Sequence, residues 1–144
     1  MTSFNGNKTF LLGFYCTFVV AKYEGEIQEL KIKVAEKGQS LADDIARVAA
    51  ARDALPNARL KVDANMGYTL AGALDALRKL CEYGIIYAEQ PVASIEDMAA
   101  LRFAIAKEGL PARIAADESI RRAEDPLKVA RANAADLMVI KAAP

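Results

Sequence analysis

From Leu30 onward, short apolar runs alternate with longer stretches in which apolar residues recur every three or four positions. Residues 30–34 (LKIKV) alternate apolar and basic side chains, the period of a strand. Ser40 and Asp43 then stand three apart, the spacing of a capping box that satisfies free N–H groups at a helix start. Leu41, Ile45, Val48, Ala49 and Leu55 follow on one helical stripe, which Pro56-Asn57 ends.

The same unit recurs. Strands are predicted over residues 60–63, 85–89, 114–117 and 137–141. Between them run a helix from Thr69 with Leu70, Ala73, Leu74, Leu77 and Cys81 on one face, closed by Gly84, and a helix whose stripe is Ile95, Met98, Leu101 and Ile105. Ser94 and Asp97 predict a second capping box, while Asp125-Pro126 predicts an N-cap and a proline at the first helical position. Strand–helix alternation implies a parallel sheet with right-handed crossovers. The strand ends Asp63, Glu89, Asp117 and Lys141 recur every 24 to 28 residues. A closed eight-unit barrel needs about 30 residues per unit, but an open doubly wound sheet accepts the same spacing. Periodicity leaves both open.

Residues 1–23 do not follow this pattern and are read as an atypical apolar segment ahead of a domain over 24–144. The run over residues 10–21 is too short to span a bilayer as a helix. Lys8 before it and Val19-Val20-Ala21 at its end give it some likeness to a signal peptide. A buried strand or a foreign N-terminus is the reading preferred here. No membrane partner is expected, and the remainder reads as a cytoplasmic enzyme.

Composition narrows the chemistry. Of 144 residues 53% are hydrophobic, which excludes disorder. Nineteen basic and 19 acidic side chains cancel, leaving no electrostatic footprint for nucleic acid. The chain has no histidine, so a Ser-His-Asp triad, a Cys-His pair and His-ligated zinc are excluded. Cys16 and Cys81 form no metal or disulfide pattern, and Cys81 reads as a small core residue. Catalysis is left to carboxylates, lysines, hydroxyls or a hard metal ion.

Lys33, Asp63, Glu89, Asp117 and Lys141 each fall at or near the carboxyl end of a predicted strand, the end that faces the active site in parallel α/β folds. Three carboxylates suit Mg²⁺, a hard ion that takes oxygen ligands. Flanking lysines can handle protons, because a nearby cation or burial lowers a lysine pKa. One acid at a strand end is ordinarily solvated or caps a helix, as expected of Asp43, Glu96, Asp97 and Asp125. Three in order between two lysines are much harder to obtain from loop composition.

These residues also carry a resemblance. Lys31-Ile32-Lys33 resembles the K-x-K motif of the muconate-lactonizing subgroup of the enolase superfamily. Lys61-Val62-Asp63-Ala64-Asn65 resembles its K-x-D-A-N strand, Glu89-Gln90-Pro91 its E-Q-P strand, and Ala116-Asp117-Glu118-Ser119 its A-D-E-S strand. Ile140-Lys141 resembles the lysine strand that follows. The longer stretches VAEKGQSLADD and AADESIRRAEDPL are most similar to the o-succinylbenzoate synthases of that subgroup.

The resemblance implies an α/β fold, a partial TIM-type (β/α) barrel, and a Mg²⁺ held by Asp63, Glu89 and Asp117. It implies that Lys33 removes the α-proton of a small-molecule carboxylate substrate and then assists a syn dehydration. Lys141 would stabilise the anionic intermediate from the opposite side. Lys31, Lys61, Asn65, Gln90 and Glu118 are placed around the site in orienting, electrostatic or substrate-binding roles. Arg121 and Arg122 are given none. The family also has further barrel units and a capping domain without counterparts here. The isolated chain is therefore expected to be an incomplete enzyme with an exposed apolar sheet face, binding Mg²⁺ weakly and self-associating through open edges. An N-acylamino-acid racemase or dipeptide epimerase is the alternative within the superfamily. A receiver-like signalling domain or an inactive gene fragment is the alternative outside it.

Overall fold

The computed structural model describes residues 27–141. The apolar segment of residues 1–23 therefore lies outside the described residues, as does Cys16. Within them the order is β1 (Glu29–Lys33), α1 (Leu41–Ala54), β2 (Arg59–Asp63), α2 (Leu70–Leu80), β3 (Ile85–Glu89), α3 (Ile95–Glu108), β4 (Arg113–Ala116), α4 (Asp125–Arg131) and β5 (Leu137–Met138).

Local chemistry explains most of the boundaries. Ser40 and Asp43 form the predicted reciprocal capping box at α1. The side chains of Thr69 and Ser94 accept from the backbone N–H groups of Gly72 and Asp97, so Ser94 makes one half of the box expected there. After α2 the chain tightens into a 3-10 turn at Cys81–Tyr83, and Gly84 (φ 68°) ends it in the left-handed region. Two expectations are corrected. Asp125 is inside α4 rather than its cap; Glu124 occupies that position, and the Asp125 carboxylate accepts from the N–H groups of Arg121 and Arg122 in the preceding turn. The last strand is two residues long, not five, pairing with β4 through Leu137 and Met138.

All five strands are parallel and lie in the order β1-β2-β3-β4-β5. This order decides between the two architectures. A doubly wound sheet reverses its strand order at a switch point, and a receiver domain has the order 2-1-3-4-5. Here the order never reverses, so right-handed crossovers carry every helix to the same side. The fold is that of a partial TIM-type barrel, and the receiver-like alternative is overturned.

The core lies between sheet and helices. Ile32, Leu60, Val62, Ala88 and Ile114 from the strands, with Val34 just after β1, pack against Val48, Leu77, Leu80, Met98 and Leu101 from the helices. Each of the larger of these side chains, fully buried, contributes on the order of 1.5–3 kcal/mol. Cys81 is half-buried against this core, and burial pushes its thiol up. The other phase of the strands faces away from the helices. It carries Glu29, Lys31, Lys33, Arg59, Lys61, Asp63, Tyr87, Glu89 and Arg113. The expected apolar sheet face is therefore corrected among the described residues: apart from Tyr87, Ala115 and Leu137 that face is charged. No described helix is long and apolar enough to cross a membrane.

Candidate active site

The strand register builds the site. Lys33 pairs with Asp63 and Asp63 with Glu89, each at the last residue of its strand, so their side chains share the open face. Glu89 pairs with Ala115, and Asp117 lies two residues beyond, in the same phase. Asp63 and Glu89 are each 1% exposed and Asp117 is 8% exposed, an arrangement that demands partners.

Lysines provide them. Lys33 Nζ donates to Asp63 Oδ2 (2.6 Å) and to Asn65 Oδ1 (2.5 Å). Lys31, one strand layer below, reaches Glu89 Oε1 at 2.9 Å and Asp63 Oδ2 at 3.4 Å. Lys141 spans both oxygens of Asp117 at 2.8 and 2.9 Å. Asn65 continues the chain of contacts by donating to Glu118 Oε1 (2.8 Å). Glu118 Oε2 is buried without a hydrogen-bond partner among the described residues.

The charges set the protonation balance. Burial pushes the Asp63 carboxyl upward, but Lys33, the Asn65 N–H and Lys31 outweigh it and hold it below its ordinary value. Desolvation likewise opposes the charge on Lys31, and Glu89 and Asp63 together still raise its pKa. Lys141 is raised chiefly by its hydrogen bond to Asp117, with Glu118 and Glu89 adding to it. Acids from three strand ends thus act on one region.

Comparison with known proteins decides the family. Residues 18–144 match the family described as "Enolase C-terminal domain-like". The chain belongs to that enolase family. It is 52% identical over 127 residues to the o-succinylbenzoate synthase of Mycolicibacterium smegmatis, covering 88% of this chain and 37% of that protein. It thus spans little more than a third of the length of the curated relatives it matches. Among solved structures it is similar to a dipeptide epimerase from Enterococcus faecalis (TM-score 0.75, 28% identity, covering 93% of this chain and 36% of that one). It is also similar to an enolase from Bradyrhizobium complexed with magnesium and mandelic acid (TM-score 0.72, 25% identity, covering 85% and 33%).

The donor set of this enolase-family chain suits a hard divalent ion: anionic oxygens from three neighbouring strand ends, with an orphaned, buried carboxylate oxygen of Glu118 beside them. Among the described residues no three acidic or cysteine side chains stand at metal-holding spacing, and Asp63, Glu89 and Asp117 each pair with an ammonium group instead. The chemistry fits Mg²⁺; the side-chain directions are those of ion pairs.

Not every expected residue joins the cluster. Lys61 turns the other way, pairing with Glu29 and lying 5.5 Å from the centre of the Tyr87 ring, so it is part of the layer below. The Gln90 side chain touches none of the three carboxylates and instead binds the backbone of the Asp117 loop.

Behind Lys33 stands a network not foreseen from the sequence. Buried Asp44 accepts from Ala35 N–H (3.0 Å) and from the Tyr68 hydroxyl (2.6 Å), while Arg47 donates to the Lys33 carbonyl (2.6 Å) and to Asp44 (3.2 Å). Burial and then the bond to Asp44 push the Tyr68 hydroxyl up. Gly67 closes the contact: a Cβ there would stand 2.6 Å from the Ala35 carbonyl oxygen. The available signal was that Asp44 falls on the buried stripe of α1 with Val48 and Ala51.

Proposed function

We propose that this chain carries the proton-transfer and metal-holding segment of an o-succinylbenzoate synthase, a Mg²⁺-dependent carbon–oxygen lyase of menaquinone biosynthesis. The observation that carries this reading is the order of the cluster. Lys33 stands at one side of three buried carboxylates and Lys141 at the other, each on its own strand end or just past it.

Asp63, Glu89 and Asp117 would hold the ion. Bound there, Mg²⁺ would supply positive charge that draws in a substrate carboxylate, acidifies its α-hydrogen and favours the neutral form of a neighbouring lysine. Neutral Lys33 takes the α-proton and the electron pair forms a carbon–carbon double bond. The β-hydroxyl departs from the same face, protonated by the Lys33 ammonium, and leaves as water. Lys33 thereby returns to its starting state. Lys141, whose pKa is raised, stays charged and faces the negative charge developing on the substrate. Lys31 pairs with Glu89 and Asp63 and offsets their negative charge. Asn65 and Glu118 hold Lys33 at its angle.

A small-molecule carboxylate substrate, a cytoplasmic setting and self-association through the edge strands β1 and β5 belong to the same proposal.

The test grafts this chain in place of the matching segment of the full-length synthase it resembles, supplies Mg²⁺ and the β-hydroxy acid, and follows the absorbance of the aromatic product. Lys33→Ala is expected to slow product formation by about 10²–10⁴-fold, the worth of a positioned acid–base group. Its Mg²⁺ affinity, measured by calorimetry, should change little. Absence of product from the grafted enzyme, or unchanged turnover in its Lys33→Ala form, overturns the reading. Similarity to the dipeptide epimerase supports a second reading, in which Lys33 and Lys141 exchange an α-proton on opposite faces. Identity of 52% to the synthase against 28% to the epimerase puts it second. Deuterium exchange at the α-carbon of a dipeptide without loss of water would reverse that order.

A further inference from the structure

We propose that Gln90 is the positioning residue that sets the spacing of the three carboxylates, by tying the ends of β2, β3 and β4 to one another. The inference rests on reading Asp63, Glu89 and Asp117 as a Mg²⁺ site.

Gln90 follows Glu89 directly and is 0% exposed. Its backbone N–H donates to the Ala115 carbonyl in β4 (2.8 Å), and its own carbonyl accepts from Met66 N–H in the loop after β2 (2.8 Å). Its side-chain oxygen accepts from Asp117 N–H (3.0 Å) and Ser119 N–H (3.1 Å). Its side-chain nitrogen donates to the Val92 carbonyl (3.0 Å) and to Ser119 Oγ (2.8 Å). One residue thus touches the loop that follows Asp63, carries Glu89 on its amino side, and grips the N–H of Asp117 itself.

The residue type is specified by this geometry. A primary amide offers an oxygen with two lone pairs and a nitrogen with two hydrogens, and all four are used. A buried filler would need none of them. Gln90 also sits at φ 37°, in a left-handed region that a non-glycine residue adopts only where its surroundings over-determine it. Its environment does so on three sides. Displacing the amide would free Asp117 from β3 and let the distance between Glu89 and Asp117 drift, while leaving every carboxylate in place chemically.

The experiment is a calorimetric titration of the full chain with MgCl₂, in the wild type, in Gln90→Leu and in Leu80→Ala. Leu80 is a fully buried helical core residue, so its truncation lowers stability without touching the carboxylate loops. Gln90→Leu is expected to weaken Mg²⁺ binding by about 10–100-fold, the usual effect of losing a residue that orients metal ligands. Leu80→Ala should retain the wild-type affinity despite its lower melting temperature. Amide hydrogen exchange at Asp117 and Ser119 should quicken in Gln90→Leu alone. Where Gln90→Leu does not fold, Gln90→Asn takes its place; it is one methylene too short to hold both loops and should shift affinity in the same direction. Wild-type affinity in the Gln90 variant, or equal loss in Leu80→Ala, overturns the positioning role while the metal site stands. Absence of Mg²⁺ binding in the wild type overturns the site and this inference together.

Discussion

The two faces of the sheet are built from alternate residues of the same strands, yet they obey different rules. On the helix side Leu60, Val62 and Ile114 are at most 1% exposed and are held by shape alone. On the open side nearly every position is ionisable. The open side itself has two layers. In the lower one Glu29 pairs with Arg59 while their side chains are 42% and 62% exposed, so water already solvates both. The upper one holds the acids Glu89 and Asp63, 1–2% exposed, while the lysines that reach them, Lys31 from below and Lys33 beside them, remain about half exposed. A solvated pair contributes little, whereas a buried acid depends on its partner. Burial of the acid, rather than the number of charges, separates a surface from a site.

That comparison can be broken at neighbouring residues. Leu60→Ala should show the largest effect, a loss of about 2–5 kcal/mol in urea denaturation, because it opens a cavity at a fully buried position. Lys31→Met should come next. The Glu89 carboxylate has no other hydrogen-bond partner among the described residues, so its buried charge would be left uncompensated. About 1–3 kcal/mol is expected without added Mg²⁺, less than for a fully buried pair because the Lys31 side chain is 44% exposed. Arg59→Ala, beside Leu60 but on the lower open layer, should stay within about 0.5 kcal/mol. If Lys31→Met behaves like Arg59→Ala, the distinction between the two layers is lost.

Much of this organisation was legible in the sequence because it depends on local chemistry. Ser40, Thr69 and Ser94 cap helices through their own side chains, and Gly84 turns the chain where only left-handed backbone fits. Lys33, Asp63, Glu89 and Asp117 were recognisable as strand-end residues from periodicity. What stayed hidden depends on which strands are neighbours. The downward turn of Lys61 follows from Glu29 lying across β1, 32 positions away. Asp44 reads as one more acid in the first turn of a helix until Tyr68 and Ala35 are brought onto it. Gln90 could be guessed to be near the site, but its hold on Asp117 and Ser119 needs the register of β3 on β4. The shortness of β5 was likewise invisible, since Val139-Ile140 is apolar enough to read as strand.

The unreversed strand order bears on how the chain acquires its structure. Each strand's partner is the next strand along the chain, so a pairing closes a loop no longer than about one strand–helix–strand unit, as Lys33 with Asp63 illustrates. Rates fall as contacts become more distant in sequence, and here no pairing must wait for a far-off segment. Growth can proceed by accretion, each unit docking on the exposed edge of the one before as it leaves the ribosome. On such a route the carboxylates assemble in the order Asp63, Glu89, Asp117, and the cluster gains its last acid only when β4 is in place.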